Sequence, residues 1–175
     1  HIPFCVKKCS YCDFLSAPAT EQTKEAYMAA LFAEIGGRAK DYKDRIVTSV
    51  FIGGGTPSLL SGDSIRQLME HIREGFSLAP DAEITMEVNP GTVTAEKLTA
   101  FYGAGINRLS IGMQSAQEQE LKILGRIHDF DSFCQVYREA VEAGFTNINV
   151  DVMSGLPGQT LTSYKDTLEK VLRLE

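Results

Sequence analysis

Apolar residues along this chain of 175 residues follow two patterns that alternate from one end to the other. The first pattern is a run of five or six residues, rich in β-branched side chains and bounded by residues typical of turns. Such runs are typical of strands buried in a parallel sheet. They predict strands at 48–52, 83–88, 108–113 and 148–153, and residues 2–4 have the character of the end of a further strand.

The second pattern places apolar side chains at the spacing of an amphipathic helix. The clearest stripe runs from Met28 to Ile35, and Gly36 is predicted to end that helix. Ser115 and Glu118 have the spacing of a capping box, the signature of a helix N-terminus. Further stripes predict helices within 65–76, 98–102, 133–141 and 161–172, the last continuing toward 175 without a stop signal.

Alternating strands and helices predict an α/β fold with parallel strands, either a closed or partial barrel or an open doubly wound sheet. In both architectures the functional residues gather at the carboxyl ends of the strands. Residues of unusual type follow the predicted strands here, and we therefore expect one large site at that rim. The segments concerned are 5–12, 53–57, 87–91, 114–115 and 151–158.

Composition and charge narrow the class of protein. The chain is 43% apolar and 23% charged, as a soluble globular domain is. Its net charge of −6 argues against a nucleic acid as partner, and no apolar run is long enough for a transmembrane segment. Four cysteines do not form a disulfide framework, so a reducing cytoplasm is expected. His1 and the unfinished helical pattern at 172–175 indicate a single domain, 1–175, cut from a longer protein.

Three cysteines, Cys5, Cys9 and Cys12, are the most informative local feature, with the spacing C-x3-C-x2-C. Three thiolates can bind three irons of a [4Fe–4S] cluster and leave the fourth iron open to a small molecule. The alternative is a structural zinc site, which usually contains paired C-x2-C units, whereas this chain has only one. The candidate fourth ligands for zinc are His1, His71, His128 and Cys134.

Other candidate residues lie at later strand ends. The segment 53–57, Gly-Gly-Gly-Thr-Pro, lacks the lysine of a phosphate-binding P-loop, and it is either a tight turn or a place where a ligand approaches the backbone. Glu87 suits the hydroxyls of a ribose, with a strand-end salt bridge as the alternative. Asp151 lies in an apolar strand and needs a partner, either Arg126 or a ligand. Gln114 is a candidate ligand contact or a core amide.

Residues 2–14, Ile-Pro-Phe-Cys-Val-Lys-Lys-Cys-Ser-Tyr-Cys-Asp-Phe, resemble the cluster motif of radical S-adenosylmethionine (SAM) proteins of the oxygen-independent coproporphyrinogen III oxidase group. The resemblance covers the whole chain, and its motifs occur in the family's order. The further motifs are 53–58, 87–90, 108–115, 124–128 and 151–159.

This resemblance implies a partial (β/α)6 radical-SAM barrel that is incomplete in this chain. It implies that Cys5, Cys9 and Cys12 hold a [4Fe–4S] cluster and that SAM binds the open iron. One electron from the reduced cluster would then cleave SAM to a 5′-deoxyadenosyl radical. The implied SAM contacts are Tyr11 at the adenine, Gly54, Gly55 and Thr56 at the methionyl part, Glu87 at the ribose, and Gln114, Arg126 and Asp151 at a second SAM molecule.

The residues after the third cysteine separate two branches of this group. Oxidases, which decarboxylate coproporphyrinogen III, continue with Gly-Cys, whereas this chain has Asp13 and Phe14. The sequence Asp-Phe at these positions resembles the motif of the HemW-type heme chaperone branch. Members of that branch bind heme and deliver it to acceptor proteins. We therefore expect heme, an electron-donor protein and heme acceptors as partners, with porphyrinogen oxidation as the alternative function.

Overall fold

A single parallel sheet organises residues 1–174, the part of the chain that the computed structural model describes. The strands are β1 (Ile46–Ile52), β2 (Ser77–Val88), β3 (Arg108–Gln114) and β4 (Ile148–Val152). The α-helices are α1 (Glu21–Ala39), α2 (Gly62–Gly75), α3 (Ala95–Gly103), α4 (Glu118–Leu124), α5 (Phe130–Glu142) and α6 (Leu161–Leu172). Short 3₁₀ turns occupy Lys40–Tyr42, Pro57–Leu59 and Pro90–Thr92.

The order of the strands distinguishes the two predicted architectures. The sheet runs β1-β2-β3-β4, so each strand pairs in parallel with the next one in the chain. A doubly wound sheet reverses its order at a switch point, whereas a barrel adds each strand on the same side as the last. Since no reversal occurs among the described strands, the sheet is part of a barrel, as the resemblance to the radical SAM family implied, whereas the strand and helix pattern alone left both architectures open.

The two faces of the sheet differ in polarity because successive side chains of a strand point to opposite faces. On β3, Leu109, Ile111 and Met113 lie fully buried in the core under the helices. The intervening positions, Ser110 and Gly112, line the opposite, concave face. The core thus lies between sheet and helices, and polar side chains are left for the inside of the barrel.

The predicted strands are all present, with adjusted ends. β2 begins at Ser77, ahead of the predicted residue 83, and its pairing with β1 shifts register between Val47 and Ser49. Residues 2–4 do not form a strand of the sheet. They make two isolated parallel bridges instead, one from Ile2 to Gly54 and one from Phe4 to Ala17.

The predicted end of α1 at Gly36 is wrong, because the helix continues to Ala39. Past Gly36, Ala39 packs with Ile35 against Gly75 of α2, where a methyl group at Gly75 would come within 3.2 Å of the Ala39 side chain. This packing between two helices favours the helical backbone over the termination that glycine often brings.

The capping box predicted at Ser115 is also wrong. α4 begins at Glu118 after Gln117, which makes no side-chain cap, and the Ser115 hydroxyl donates to the Glu120 carboxylate at 2.6 Å. The pairing of a buried serine with a buried carboxylate decides this arrangement, since Ser115 is fully buried and Glu120 is 5% exposed. At the other end, α6 ends at Leu172, and residue 175 lies outside the described residues.

Among residues 1–174, no helix combines the length and the apolar character needed to cross a membrane.

Candidate cofactor-binding site

A cavity of about 390 Å³ lies at the carboxyl ends of the strands. Every residue that the sequence resemblance implied for binding the cluster or SAM lines this one cavity, as parallel strands and their following loops would require. They are Cys5, Cys9, Tyr11, Cys12, Gly54, Gly55, Thr56, Glu87, Gln114, Arg126 and Asp151. The fold therefore brings together segments that are far apart in the sequence.

The cysteine loop forms one wall of the cavity. Cys5, Cys9 and Cys12 are free thiols and each is partly exposed. The loop is held by its backbone, since the Cys5 N–H donates to the Ala17 carbonyl at 3.1 Å and the Cys12 N–H donates to the Cys9 carbonyl at 3.2 Å. Three accessible thiols on one short loop match the soft ligands that an iron–sulfur cluster requires.

The described residues do not form a site of the kind a single zinc ion needs. Within 1–174, no three His, Cys, Asp or Glu side chains converge on one point. Two proposed fourth ligands make other contacts: His71 stacks on Phe32 with ring centroids 4.2 Å apart, and Cys134 packs against the core. Cluster cysteines each bind a different iron, so that chemistry does not need such convergence.

The glycine segment meets the backbone of residues 2–4 at close range. The Gly55 N–H donates to the Ile2 carbonyl at 2.7 Å, and the Thr56 N–H donates to the Phe4 carbonyl at 2.7 Å. A methyl group at Gly55 would lie 2.6 Å from the Phe4 carbonyl oxygen, which is closer than atoms pack. Gly55 is therefore required for the approach that places the cysteine loop beside the strand ends.

Glu87 projects into the cavity from the end of β2. Its Oε2 accepts a hydrogen bond from the Gly54 N–H at 2.9 Å. Burial raises the pKa of Glu87 above its usual range, and repulsion from the Asp151 carboxylate adds to this, whereas the Gly54 hydrogen bond opposes it. A half-buried carboxylate of this kind gains from the hydroxyl donors that a ribose offers.

Asp151 has partners other than the predicted Arg126. Its Oδ1 accepts hydrogen bonds from Ser110 Oγ at 3.0 Å and Asn149 Nδ2 at 2.7 Å. Ser110 and Asn149 were missed by sequence reasoning, although alternation gives a signal for both. Ser110 precedes Gly112 by two residues on β3 and Asn149 precedes Asp151 by two on β4, so each lies on the concave face.

Gln114 has a backbone conformation that side chains rarely adopt. Its φ of 72° is the only positive value of a non-glycine residue within 1–174, and the pairing with β4 shifts register between Gly112 and Gln114. The Met153 N–H donates to the Gln114 carbonyl at 2.9 Å. Such irregularities often direct a side chain into a site, and Gln114 is a partly exposed residue of the cavity wall and not a core amide.

Comparison with known proteins gives relatives over nearly the whole chain. The chain is 43% identical to the heme chaperone HemW of Escherichia coli (strain K12) over 175 residues, covering 99% of this chain and 46% of that protein. It is 38% identical to a mitochondrial radical S-adenosyl methionine domain-containing protein 1 of Bos taurus, covering 99% of this chain and 39% of that protein. The chain thus spans less than half the length of these relatives.

A solved structure shares the fold. Coproporphyrinogen III oxidase (HemN) from Escherichia coli matches with a TM-score of 0.92 and 37% identity, over 100% of this chain and 41% of that one. Methylornithine synthase (PylB) matches with a TM-score of 0.67 at 15% identity, which shows a likeness of fold alone. The family model of the Radical SAM superfamily matches residues 1–171, and this chain therefore belongs to the radical SAM superfamily.

Proposed function

We propose that this chain is the cluster- and SAM-binding part of a HemW-type heme chaperone. Its superfamily as a whole implies a [4Fe–4S] cluster and SAM as cofactors. The observation that carries the proposal is Phe14, which lines the cavity beside the cluster loop and is 62% exposed. Oxidases of this group have a cysteine at that position, whereas relatives named heme chaperone HemW are 35–43% identical to this chain.

The cavity supports a division of roles among the candidate residues. Cys5, Cys9 and Cys12 would hold the cluster, and the Thr56 hydroxyl, 3.5 Å from Cys5 Sγ, donates a hydrogen bond to that ligand. When bound, the cluster and SAM supply one-electron chemistry at the cavity. Glu87 is placed to accept the ribose hydroxyls.

The other residues of the cavity wall are assigned to the remaining parts of SAM by their chemistry. The N–H groups of Gly54 and Gly55 already donate to Glu87 and Ile2, so it is the carbonyls of these glycines that suit the ammonium group of the methionyl part. Tyr11 presents its ring toward the adenine. Gln114 and Asp151 lie on the far wall of the cavity, where a second SAM molecule would bind.

The partners and the location belong to the same proposal. Heme is the cargo, acceptor proteins receive it, and an electron-donor protein reduces the cluster. Partly exposed free thiols are compatible with a reducing compartment, and this supports a location in the cytoplasm.

Oxidation of coproporphyrinogen III is the second candidate function. The structural match to HemN at a TM-score of 0.92 favours it, because the same scaffold performs that reaction. The test uses full-length protein reconstituted anaerobically with iron and sulfide and supplied with coproporphyrinogen III, SAM and a reductant. The Cys9→Ala variant serves as the cluster-free control.

We expect no protoporphyrinogen from the cluster-loaded protein, followed by saturable heme binding in a titration. Formation of 5′-deoxyadenosine monitors whether the cluster and SAM are active together. Protoporphyrinogen formed by the loaded protein but not by Cys9→Ala would make the chain an oxidase and overturn the chaperone proposal.

A further inference from the structure

Arg126 links the cysteine loop to the sheet. Its Nη2 donates to the Gly112 carbonyl of β3 at 2.5 Å. Its Nη1 faces the loop, where it lies 3.9 Å from Cys9 Sγ and 3.5 Å from the Tyr11 hydroxyl. One guanidinium therefore contacts a strand end and a cluster ligand at the same time.

The backbone around Arg126 keeps it in this position. The Arg126 N–H donates to the Leu121 carbonyl at 3.0 Å, and the Ser10 N–H of the cysteine loop donates to the Leu124 carbonyl at 3.0 Å. Gly125 lies between them with a φ of 72°, and a methyl group there would come within 3.2 Å of Ser10 Oγ. The end of α4 and the cysteine loop are thus in direct contact, which holds the Arg126 backbone beside that loop.

The charge of Arg126 has no carboxylate partner among residues 1–174. Asp151, the partner expected from the sequence, is held by Ser110 and Asn149. In addition, Arg126 Nε is buried and has no acceptor within the same residues. A partly buried, unpaired cation beside a cysteine that would bind iron calls for a neighbouring anion.

We propose that Arg126 acts through Cys9 to stabilise the reduced state of the cluster. Reduction adds negative charge to the cluster, and a nearby cation with an N–H directed at a ligand sulfur makes that charge more favourable. Arg126 thereby raises the reduction potential of the cluster, in the way outer contacts tune metal sites. It is a positioning residue of the cluster.

The inference rests on the cluster-binding part of the proposed function. The experiment is a redox titration of full-length reconstituted protein, followed by electron paramagnetic resonance without SAM. Arg126→Met removes the charge, Arg126→Lys keeps the charge but loses the planar fork, and Arg108→Met is the matched control. Arg108 lies at the start of β3 and pairs with Glu83 at 3.8 Å.

We expect Arg126→Met to lower the midpoint potential by about 59 mV or more, a tenfold change in a one-electron equilibrium. Arg126→Lys should lie between Arg126→Met and the wild type, and Arg108→Met should match the wild type. An unchanged potential in cluster-loaded Arg126→Met overturns the inference, and so does a loss of SAM affinity alone. If Arg126→Met takes up no cluster, the midpoint potential of Arg126→Lys is compared with that of the wild type. An unchanged potential in Arg126→Lys then overturns the inference.

Failure of the proposed function has a different signature. A wild-type protein that takes up no iron and sulfide in reconstitution refutes cluster binding itself. A wild type that loads normally, with all variants at the same potential, refutes only the role of Arg126.

Discussion

The Glu87 carboxylate and the Gly54 N–H are joined by a hydrogen bond of 2.9 Å, which connects the end of β2 to the glycine segment after β1. A methyl group at the adjacent Gly53 would lie 2.9 Å from the same Oε2, so the glycines leave just enough room for the carboxylate. Oε1 accepts no hydrogen bond from the part of the chain that the structure describes. One carboxylate oxygen of Glu87 thus links β2 to the glycine segment, and the other oxygen is free to accept a hydrogen bond from a ligand.

Glu87→Ala should weaken SAM binding by about 1.5–3 kcal/mol, the cost of a hydrogen bond to a charged group. The cluster should remain, because Glu87 is not on the cysteine loop. Isothermal titration with SAM and the iron content together check this. Glu83→Ala is the control, since Glu83 lies on the same face of β2 but does not line the cavity. Equal SAM affinity in Glu87→Ala and wild type would show that Glu87 has a structural role and does not bind SAM.

Cys9→Ala should abolish the cluster, because two cysteines of the triplet cannot replace the third ligand. The brown colour and the cleavage of SAM should disappear together. Cys134→Ala should keep both, since Cys134 lies on α5 and burial raises the pKa of its thiol, which makes it a poor ligand. Iron and sulfide analysis distinguishes the two variants. Retained cluster absorption in Cys9→Ala would refute the ligand assignment.

Gln114→Gly should be more stable than Gln114→Ala by about 1 kcal/mol, because only glycine adopts a φ of 72° without strain. Both variants lack the glutamine amide, so the difference between their free energies of unfolding in urea reports the strain of the backbone at residue 114. If Gln114 contacts SAM as proposed, both variants should also lose SAM affinity to the same extent. Equal stability of the two variants would contradict the left-handed conformation.

His128 should make the folded protein acid-sensitive. Burial, with help from the positive charge of Arg126, lowers its pKa from 6.5 to about 4, and its Nε2–H donates to the Met113 carbonyl at 3.2 Å. As the pH falls from about 6.5 to about 4, the unfolded state gains a proton that the folded state does not. The free energy of unfolding should therefore fall by about 3 kcal/mol across this window and be unaffected above it.

The measurement for His128 is urea unfolding at several pH values in wild type and His128→Gln. Glutamine keeps a donor for Met113 but does not titrate. Between pH 6.5 and pH 4 the wild type should lose about 3 kcal/mol more of its free energy of unfolding than His128→Gln, because the other titrating groups contribute equally to both proteins. Parallel curves would exclude a buried, neutral histidine.

Gly36→Ala should stabilise the protein by about 0.5–1 kcal/mol, because Gly36 lies exposed inside α1 with nothing within 4 Å of an added methyl group. Had the helix ended at Gly36 with a left-handed glycine, alanine would destabilise it. Thermal or urea unfolding shows whether Gly36→Ala raises or lowers the stability of the protein. Gly55→Ala is the contrasting variant and should destabilise, since its methyl group would meet the Phe4 backbone at 2.6 Å.

Local patterns were sufficient for much of the fold. The β-branched runs placed β1, β3 and β4, and the cysteine spacing identified the loop that lines the cavity. These features depend on side-chain period and turn residues within a few positions, which the sequence contains directly. The error at Gly36 arose where packing with a distant helix outweighed the local signal, and the error at Ser115 arose because its hydroxyl donates to the buried Glu120 carboxylate instead of making the capping contact.

The sequence by itself determined which elements form and which residue types stand at the strand ends. Only the tertiary structure decided the order of the strands, the pairing of Asp151 with Ser110 and Asn149, and the contact of Arg126 with Cys9. The latter contacts join residues on different strands and loops, so they depend on register and on how the loops pack. That information belongs to the whole fold, because hydrogen bonds between distant residues form only after the sheet has aligned them.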